Sequence, residues 1–145
     1  MTGQSRTIEV SNVLDQLAEV QDALEAFVEE LGLGDDVRHS LLLVVEELFV
    51  NTVHYGYDEA VPDTIAISVG LRKDGDLHLT IRDQARPFDV SQPPRVPTGE
   101  ESLEDIQIGG LGLFLVHELA RQILHQRQGN SNITEIILPS GGAAA

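Results

Sequence analysis

Hydrophobic residues recur at helical spacing in three segments of the chain. The predicted helices cover residues 11–31, 35–55 and 110–122. Ser11 or Asn12 can cap the first helix. Asp35 can cap the second, and Gly56 directly after it is a stop signal. Because the apolar residues of each segment fall on one face, the helices are expected to pack against a common core.

Hydrophobic and polar residues alternate in further segments, which is typical of strands. The predicted strands cover residues 7–10, 64–72, 76–83, 123–128 and 132–138. Asp74-Gly75 and Gly129-Asn130 are typical of tight hairpin turns. Strands joined by such turns pair antiparallel, and the helices must cover a face of that sheet. This order predicts an α+β fold, a two-layer α/β sandwich with a mixed, mostly antiparallel sheet covered on one face by helices.

Residues 84–108 show neither the helical spacing nor the alternation of a strand, and they contain four of the six prolines. A loop of this length inside a compact domain is usually a lid or a binding loop. The pattern predicts a single domain over residues 1–140, with a lid at 84–108 and a disordered tail at 141–145.

Composition narrows the class of protein. The chain has 145 residues and no cysteine, which excludes disulfides, zinc-thiolate sites and thiol catalysis. No apolar run reaches the roughly 20 residues that a membrane span needs. Its first residues lack the features of a signal peptide, so we expect a cytoplasmic protein without membrane contact.

The charge is strongly acidic, with 9 basic and 24 acidic residues and a formal net charge of −15. Such a field repels phosphate backbones, so direct binding of nucleic acid is not expected. It can attract a basic protein partner, or it can serve general solubility alone.

Glu47 and Asn51 lie one helical turn apart in the most apolar part of the second predicted helix. A buried carboxylate or amide without a partner costs about 1–3 kcal/mol. The amide oxygen of Asn51 can bind a hard cation such as Mg²⁺. Glu47 can accept a proton from an attacking hydroxyl or water. The alternative is an ordinary amphipathic helix whose glutamates face solvent.

Asp83 ends the third predicted strand. A buried carboxylate there can accept a hydrogen bond from an exocyclic amine, which would select adenine over guanine. The alternative is an aspartate that stabilises a turn.

Glycines lie at the start of the third predicted helix, in the run Gly109-Gly-Leu-Gly-Leu113. They allow backbone amides to approach phosphate oxygens, and a helix N-terminus favours negative charge. No Gly-Lys-Ser/Thr follows and no βαβ unit surrounds the run, so neither a Walker loop nor a dinucleotide fingerprint is indicated. The alternative is a flexible helix entry.

In this order, the three segments resemble the motifs of the Bergerat-type ATP-binding fold of gyrases, the large heat-shock chaperone, sensor histidine kinases and mismatch-repair ATPases. The run from Glu47 to Asn51 is similar to the N box, the run from Asp83 to Asp89 to the G1 box, and Gly110 to Leu113 to the G2 box. The small size and Tyr55-Gly-Tyr57 narrow the resemblance to the stand-alone anti-sigma factor serine/threonine kinases, over residues 11–138.

The resemblance implies a role for each motif. Asn51 would hold Mg²⁺, Glu47 would be the catalytic general base, and Asp83 would contact the adenine amine. The implied ATP-binding residues are Asn51, Asp83, Ala85, Gly109, Gly110, Leu111, Gly112 and Leu113. The implied cofactors are ATP and Mg²⁺. The implied partners are an anti-sigma factor antagonist as phosphorylation substrate, a sigma factor or other regulator, and a second copy of the chain in a homodimer.

Two departures from the motifs support a different function. Ala85 stands where the G1 box has glycine, and alanine costs on the order of 1 kcal/mol if the turn needs positive φ. No arginine or lysine lies at 104–108, although phosphoryl transfer depends on positive charge near the γ-phosphate. The alternative is a catalytically weak or inactive nucleotide-binding module that acts only by protein–protein binding. A detached ATPase half of a histidine kinase is a third, less favoured alternative.

Overall fold

The structure is a computed structural model of the chain, and it describes residues 5–58, 61–87 and 110–139. A 3₁₀ turn, Leu14–Gln16, precedes the first helix. The strands and helices are, in chain order, β1 (Ser5–Ser11), α1 (Leu17–Glu30), α2 (Asp35–Tyr55), β2 (Thr64–Leu71), β3 (Leu77–Asp83), α3 (Gly110–Leu119), β4 (Gln122–Gln128) and β5 (Ser131–Leu138).

The five strands form one sheet in the order β1-β2-β3-β5-β4. Each pairing between the described strands is antiparallel, so the sheet is antiparallel rather than mixed. The reason is that β5 is the return strand of the β4–β5 hairpin and inserts between β3 and β4. The predicted α+β fold is confirmed, and both predicted hairpins form.

The first helix begins later than its pattern predicts. Residues up to Ser11 pair with β2, so β1 is longer than predicted and α1 starts at Leu17. The side chain of Asn12 does not cap α1, because Nδ2 donates to the carbonyl of Val61 at 2.8 Å and Oδ1 accepts from the Asp63 amide at 3.1 Å. These tertiary hydrogen bonds occupy the polar atoms of the Asn12 side chain, so that side chain is not available to cap α1.

The other helix ends differ by smaller amounts. Gly34 occupies the N-cap position of α2, and Asp35 is the first helical residue, without a side-chain capping bond at this end. Its carboxylate still lies near the positive end of the helix dipole. The third helix ends at Leu119 rather than near residue 122, because β4 begins at Gln122.

The core lies between the helices and one face of the sheet. One stripe of α2 enters this core, and its apolar members are Val37, Leu41, Val44, Val45, Leu48 and Phe49. Asn51 continues the same stripe and is only 8% exposed. The core therefore places a polar amide where the helical period would place an apolar side chain. None of the helices in the described part of the chain has the length and apolar character of a bilayer crossing.

Candidate active site

Asn51 is buried near the C-terminal end of α2. Its Nδ2 atom has no hydrogen-bond partner among the described residues. An amide NH₂ group left unpaired in a protein interior is unfavourable, so its hydrogens are available to a hydrogen-bond acceptor. The amide oxygen, not this nitrogen, is the atom that a cation would bind. Asn51 fits a magnesium site as a single oxygen ligand, since Mg²⁺ usually takes one or two protein ligands beside phosphates and waters. No cluster of three or more histidine, aspartate or glutamate side chains within 5–58, 61–87 and 110–139 could hold a metal by itself.

Glu47 lies one turn before Asn51 and reaches the first turn of α3. A Cβ atom built on Gly112 would overlap Oε2 and Cδ of Glu47, so the carboxylate lies directly against the Cα of this glycine. Burial raises the pKa of Glu47, and the negative charge of Glu46 raises it further. A raised pKa brings a carboxylate closer to the range in which a general base exchanges protons readily.

Glu46, the glutamate of the pair that is expected to face solvent, is only partly exposed. Its Oε1 accepts a hydrogen bond from Nε2 of Gln21 on α1 at 3.3 Å. The two neighbouring glutamates therefore have different environments, because α1 packs on one side of α2 and α3 on the other.

Asp83 is buried at the end of β3. Its Oδ1 accepts hydrogen bonds from the Ala85 amide at 3.0 Å and from Nδ2 of Asn132 at 2.9 Å. Burial raises the pKa of Asp83, and these two bonds oppose that change. The sequence offered two roles for Asp83, a turn aspartate or a buried acceptor. The structure combines them, because the carboxylate is buried and its bond to the Ala85 amide closes a turn.

The turn after Asp83 rests on the end of α2. The Arg86 amide donates to the carbonyl of Gly56 at 2.8 Å. A Cβ atom at Gly56 would lie 2.6 Å from Cβ of Ala85 and 2.5 Å from the carbonyl oxygen of Thr52. The φ of Gly56 is −84°, so this position needs glycine for the close approach and not for a left-handed conformation. The methyl group of Ala85 is accommodated because Gly56 has no side chain.

Helix α2 thus connects the sites of all three motifs. Glu47 contacts the entry of α3, and nine residues further on Gly56 contacts the turn after Asp83. At 1.5 Å per residue, these contacts are roughly 13 Å apart along the helix. Asn51 lies between them. The arrangement suits an extended ligand with an amine-bearing ring at one end and an anionic group at the other.

The remaining predicted site residues lie at the start of α3. Gly109 is outside the described residues, as are 88–108 of the predicted lid and the tail at 141–145. Gly110 and Leu111 form the first turn of α3, and Gly112 is buried there. Leu113 packs against the core, which leaves its backbone rather than its side chain for a ligand.

Sequence reasoning missed the residues that support Asp83. Asn132 on β5 and Arg127 on β4 hold the turn from the sheet side. Tyr57 holds it from the other side, since its hydroxyl donates to Oδ2 of Asp63 at 2.6 Å and that oxygen also accepts from the Gln84 amide at 2.8 Å. Burial, and then the bond to Asp63, raise the pKa of Tyr57. A polar residue at an inward-facing position of β5 was the available signal for Asn132.

The contact at Gly56 gives a first testable prediction. Gly56→Ala is expected to lower the free energy of unfolding by about 1–3 kcal/mol, the usual effect of overpacking. The added methyl group would meet the Thr52 carbonyl and Ala85, and neither is the flexible end of a long side chain. Chemical denaturation monitored by circular dichroism measures the change.

Gly34→Ala is the control for added volume, because a Cβ atom there meets nothing within 4 Å. Gly34 is the N-cap of α2, so its expected cost is only the lower preference of that position for alanine. Adding Ala85→Gly to Gly56→Ala should recover part of the loss, since it removes one of the two contacts. A loss in Gly56→Ala that Ala85→Gly does not reduce, and that is no larger than the N-cap cost in Gly34→Ala, would contradict the close approach.

Comparison with known proteins identifies the class. Residues 10–138 match the family profile described as the histidine kinase-like ATPase domain, and the chain belongs to this family. The predicted resemblance to the anti-sigma factor serine/threonine kinases is also confirmed.

Two curated relatives carry the same name. The chain is 27% identical to serine-protein kinase RsbW of Halalkalibacterium halodurans over 107 residues, which is 72% of this chain and 64% of that protein. It is 28% identical to serine-protein kinase RsbW of Oceanobacillus iheyensis over 100 residues, 66% of this chain and 62% of that protein. The matches span less than two thirds of these relatives.

Solved structures confirm the fold. The RsbU and RsbW domains of Rv1364c from Mycobacterium tuberculosis superpose with a TM-score of 0.65 at 14% identity, over 93% of this chain and 32% of that one. The blue-light activated histidine kinase EL346 of Erythrobacter litoralis gives a TM-score of 0.53 at 16% identity, over 74% of this chain and 32% of that one.

Proposed function

We propose that this protein is a serine/threonine kinase that binds Mg-ATP and phosphorylates an anti-sigma factor antagonist, while also binding a sigma factor or a similar regulator. The observation that carries the proposal is the position of α2 between the other two motifs. Glu47 of α2 lies against Gly112 at the start of α3. At the C-terminal end of α2, Gly56 contacts the turn that follows Asp83. The family and the names of the curated relatives support ATP binding and kinase activity.

In this proposal, adenine lies at Asp83 and the phosphates at the start of α3. The carboxylate of Asp83 accepts a hydrogen bond from the adenine amine. Backbone amides from Gly110 onward face the phosphates, where the helix dipole favours negative charge. Residues 84–108 would cover the nucleotide.

Glu47 performs the proton transfer. Its carboxylate removes the proton from the serine or threonine hydroxyl of the substrate as the oxygen attacks the γ-phosphorus. The new O–P bond forms while the bond between the γ-phosphorus and the bridging oxygen breaks, and ADP leaves with that oxygen. Asn51 would hold Mg²⁺ by its amide oxygen, and the ion would neutralise phosphate charge.

The test is a transfer assay. The pure protein is incubated with γ-labelled ATP, Mg²⁺ and the small antagonist-like proteins encoded near its gene. We expect label on a serine or threonine of one of them. The proposal is overturned if ATP binds measurably and no candidate acceptor is labelled.

A nucleotide-dependent binding module is the second candidate. The observation that favours it is the lack of arginine and lysine at 104–108, before the proposed phosphate site. Arg86 does not replace them, because its backbone amide is bonded to Gly56 at the proposed adenine end. In that case the partner would bind in an ATP-dependent manner, without any transfer of label, and binding would survive Glu47→Gln.

Three further features belong to the proposal. The homodimer follows from the family resemblance alone, the cytoplasmic location from the composition, and the single domain over residues 1–140 from the pattern of elements. The acidic surface, with its net charge of −15, is consistent with a basic protein partner and not with nucleic acid.

A further inference from the structure

Asn132 on β5 lies directly opposite Asp83 on β3 in the register of the sheet. Each of the two residues is 5% exposed. The same face of β5 continues with Thr134 and Ile136, which point toward the core beside β3. An amide at such a position must find partners for both of its polar atoms.

The Nδ2 atom of Asn132 joins the turn to the sheet. It donates to Oδ1 of Asp83 at 2.9 Å and to the carbonyl of Ala85 at 3.0 Å. It also lies 3.1 Å from the carbonyl oxygen of Arg86. Two hydrogens serve three acceptors, so one of them is shared. This single amide fixes a carboxylate and two consecutive peptide groups relative to one another.

The other atom of the amide is fixed from β4. Nη1 of Arg127 donates to Oδ1 of Asn132 at 3.0 Å and to the carbonyl of Ala85 at 2.8 Å. Nε2 of His125 lies 3.2 Å from the same Oδ1. A reversed amide would place its oxygen against three acceptors and its NH₂ group against Arg127. The orientation of Asn132 is therefore determined by its surroundings.

These bonds also distinguish the two oxygens of Asp83. Within the described part of the chain, both hydrogen bonds to this carboxylate fall on Oδ1. The Oδ2 atom is thus the oxygen available to an external donor. Its direction is set by the bonds on Oδ1, because a carboxylate held at one oxygen cannot turn freely.

We propose that Asn132, supported by Arg127, is a positioning residue that sets the preference of the site for adenine by aiming Oδ2 of Asp83 at the exocyclic amine. This inference rests on the proposed function, since it assumes that Asp83 contacts adenine. Asn132 itself does not touch the nucleotide.

The experiment compares binding of ATP and of purine riboside triphosphate, which lacks the 6-amino group, by calorimetry with Mg²⁺. A hydrogen bond to a charged acceptor corresponds to a preference of about tenfold or more, which we expect in the wild-type protein. In Asn132→Ala the preference should fall to about threefold or less. The ratio of the ATP and ADP dissociation constants reports on the phosphate end and should stay within about twofold of wild type.

Three further variants complete the design. Asn132→Ser can donate one of the lost bonds and should keep an intermediate preference. Arg127 is exposed, and Arg127→Met removes its hydrogen bond to the Asn132 amide oxygen. This variant should also reduce the preference for ATP over the analogue. Gln126→Ala is the matched control, because this exposed neighbour points to the opposite face of the sheet. It should keep the wild-type preference.

The outcomes separate the two proposals. No ATP binding by the wild-type protein overturns both. No preference for ATP over the analogue overturns the adenine contact at Asp83 and the positioning role with it, while the transfer assay still decides the kinase activity. A wild-type preference that persists in folded Asn132→Ala overturns the positioning role alone. If Asn132→Ala does not fold, Arg127→Met decides, and an unchanged preference in that variant overturns the inference.

Discussion

Glu47→Gln is expected to lower phosphoryl transfer to the protein acceptor by about 100- to 10,000-fold, the range that a general base contributes. Glutamine keeps the shape of the side chain and its contact with Gly112 but cannot accept the proton. Mg-ATP affinity should change little, because the proposed contacts of the nucleotide lie on Asn51, Asp83 and the start of α3. Single-turnover transfer and calorimetric ATP binding measure the two effects separately.

The same variant should not be less stable than wild type. Burial raises the pKa of Glu47, which means that the folded protein disfavours the ionised carboxylate. A neutral amide removes this unfavourable term at pH values above the pKa, so the melting temperature should be equal or higher. Loss of transfer together with loss of ATP binding or of stability would contradict the assignment of Glu47 as the base.

Glu46→Gln is the matched control, since it makes the same chemical change one residue earlier. Glu46 contacts Gln21 rather than Gly112, so transfer near neutral pH should remain. Burial is the main cause of the raised pKa of Glu47, and the charge of Glu46 is the second. Removing that charge lowers the pKa of Glu47. The base then stays ionised to lower pH, and the acidic limb of the rate profile should move to lower pH.

Local patterns in the sequence were sufficient for most elements of the fold. Alternation and turn residues predicted the two hairpins, and helical spacing predicted α2 almost to its ends. The start of α1 was predicted too early, because β1 continues along β2 through Ser11 and Asn12 bonds to the segment at 61–63. Contacts between residues about 50 positions apart leave no local pattern.

The same limit applies to the site. Glu47, Asn51 and Asp83 could be named as candidates because each is a polar residue at a position whose pattern is apolar or strand-like. The partner of Asp83 was missed. The local signal at Asn132 is only a polar residue at an inward-facing strand position, and its role appears once the register places it opposite Asp83. The consequence of Ala85 was also hidden. The space for its methyl group exists only because residue 56 is glycine, and the sequence indicated only a helix stop at Gly56.

Gly112→Ala should separate folding from catalysis most clearly. Alanine is favoured over glycine in a helix interior by about 1 kcal/mol, and part of this preference applies to Gly112 in the first turn of α3. The atom that its methyl group would meet is the mobile end of the Glu47 side chain, which can move away without disturbing the core. Stability should therefore be unchanged or higher. Transfer at saturating ATP should fall by about 100-fold or more, because a displacement of roughly 1 Å at a reacting group has that effect.

A double-mutant cycle tests whether the contact itself causes this loss. Glu47→Asp shortens the side chain by one methylene group and withdraws the carboxylate from residue 112. On its own this change should also reduce transfer, since the base no longer reaches the acceptor. In the Gly112→Ala background it should cost less than it does in the wild-type protein, because the clash has already displaced the longer side chain. Such coupling is expected only between residues in direct contact. Strictly additive losses would show that Gly112 acts on the phosphates alone and that Glu47 is positioned by something else.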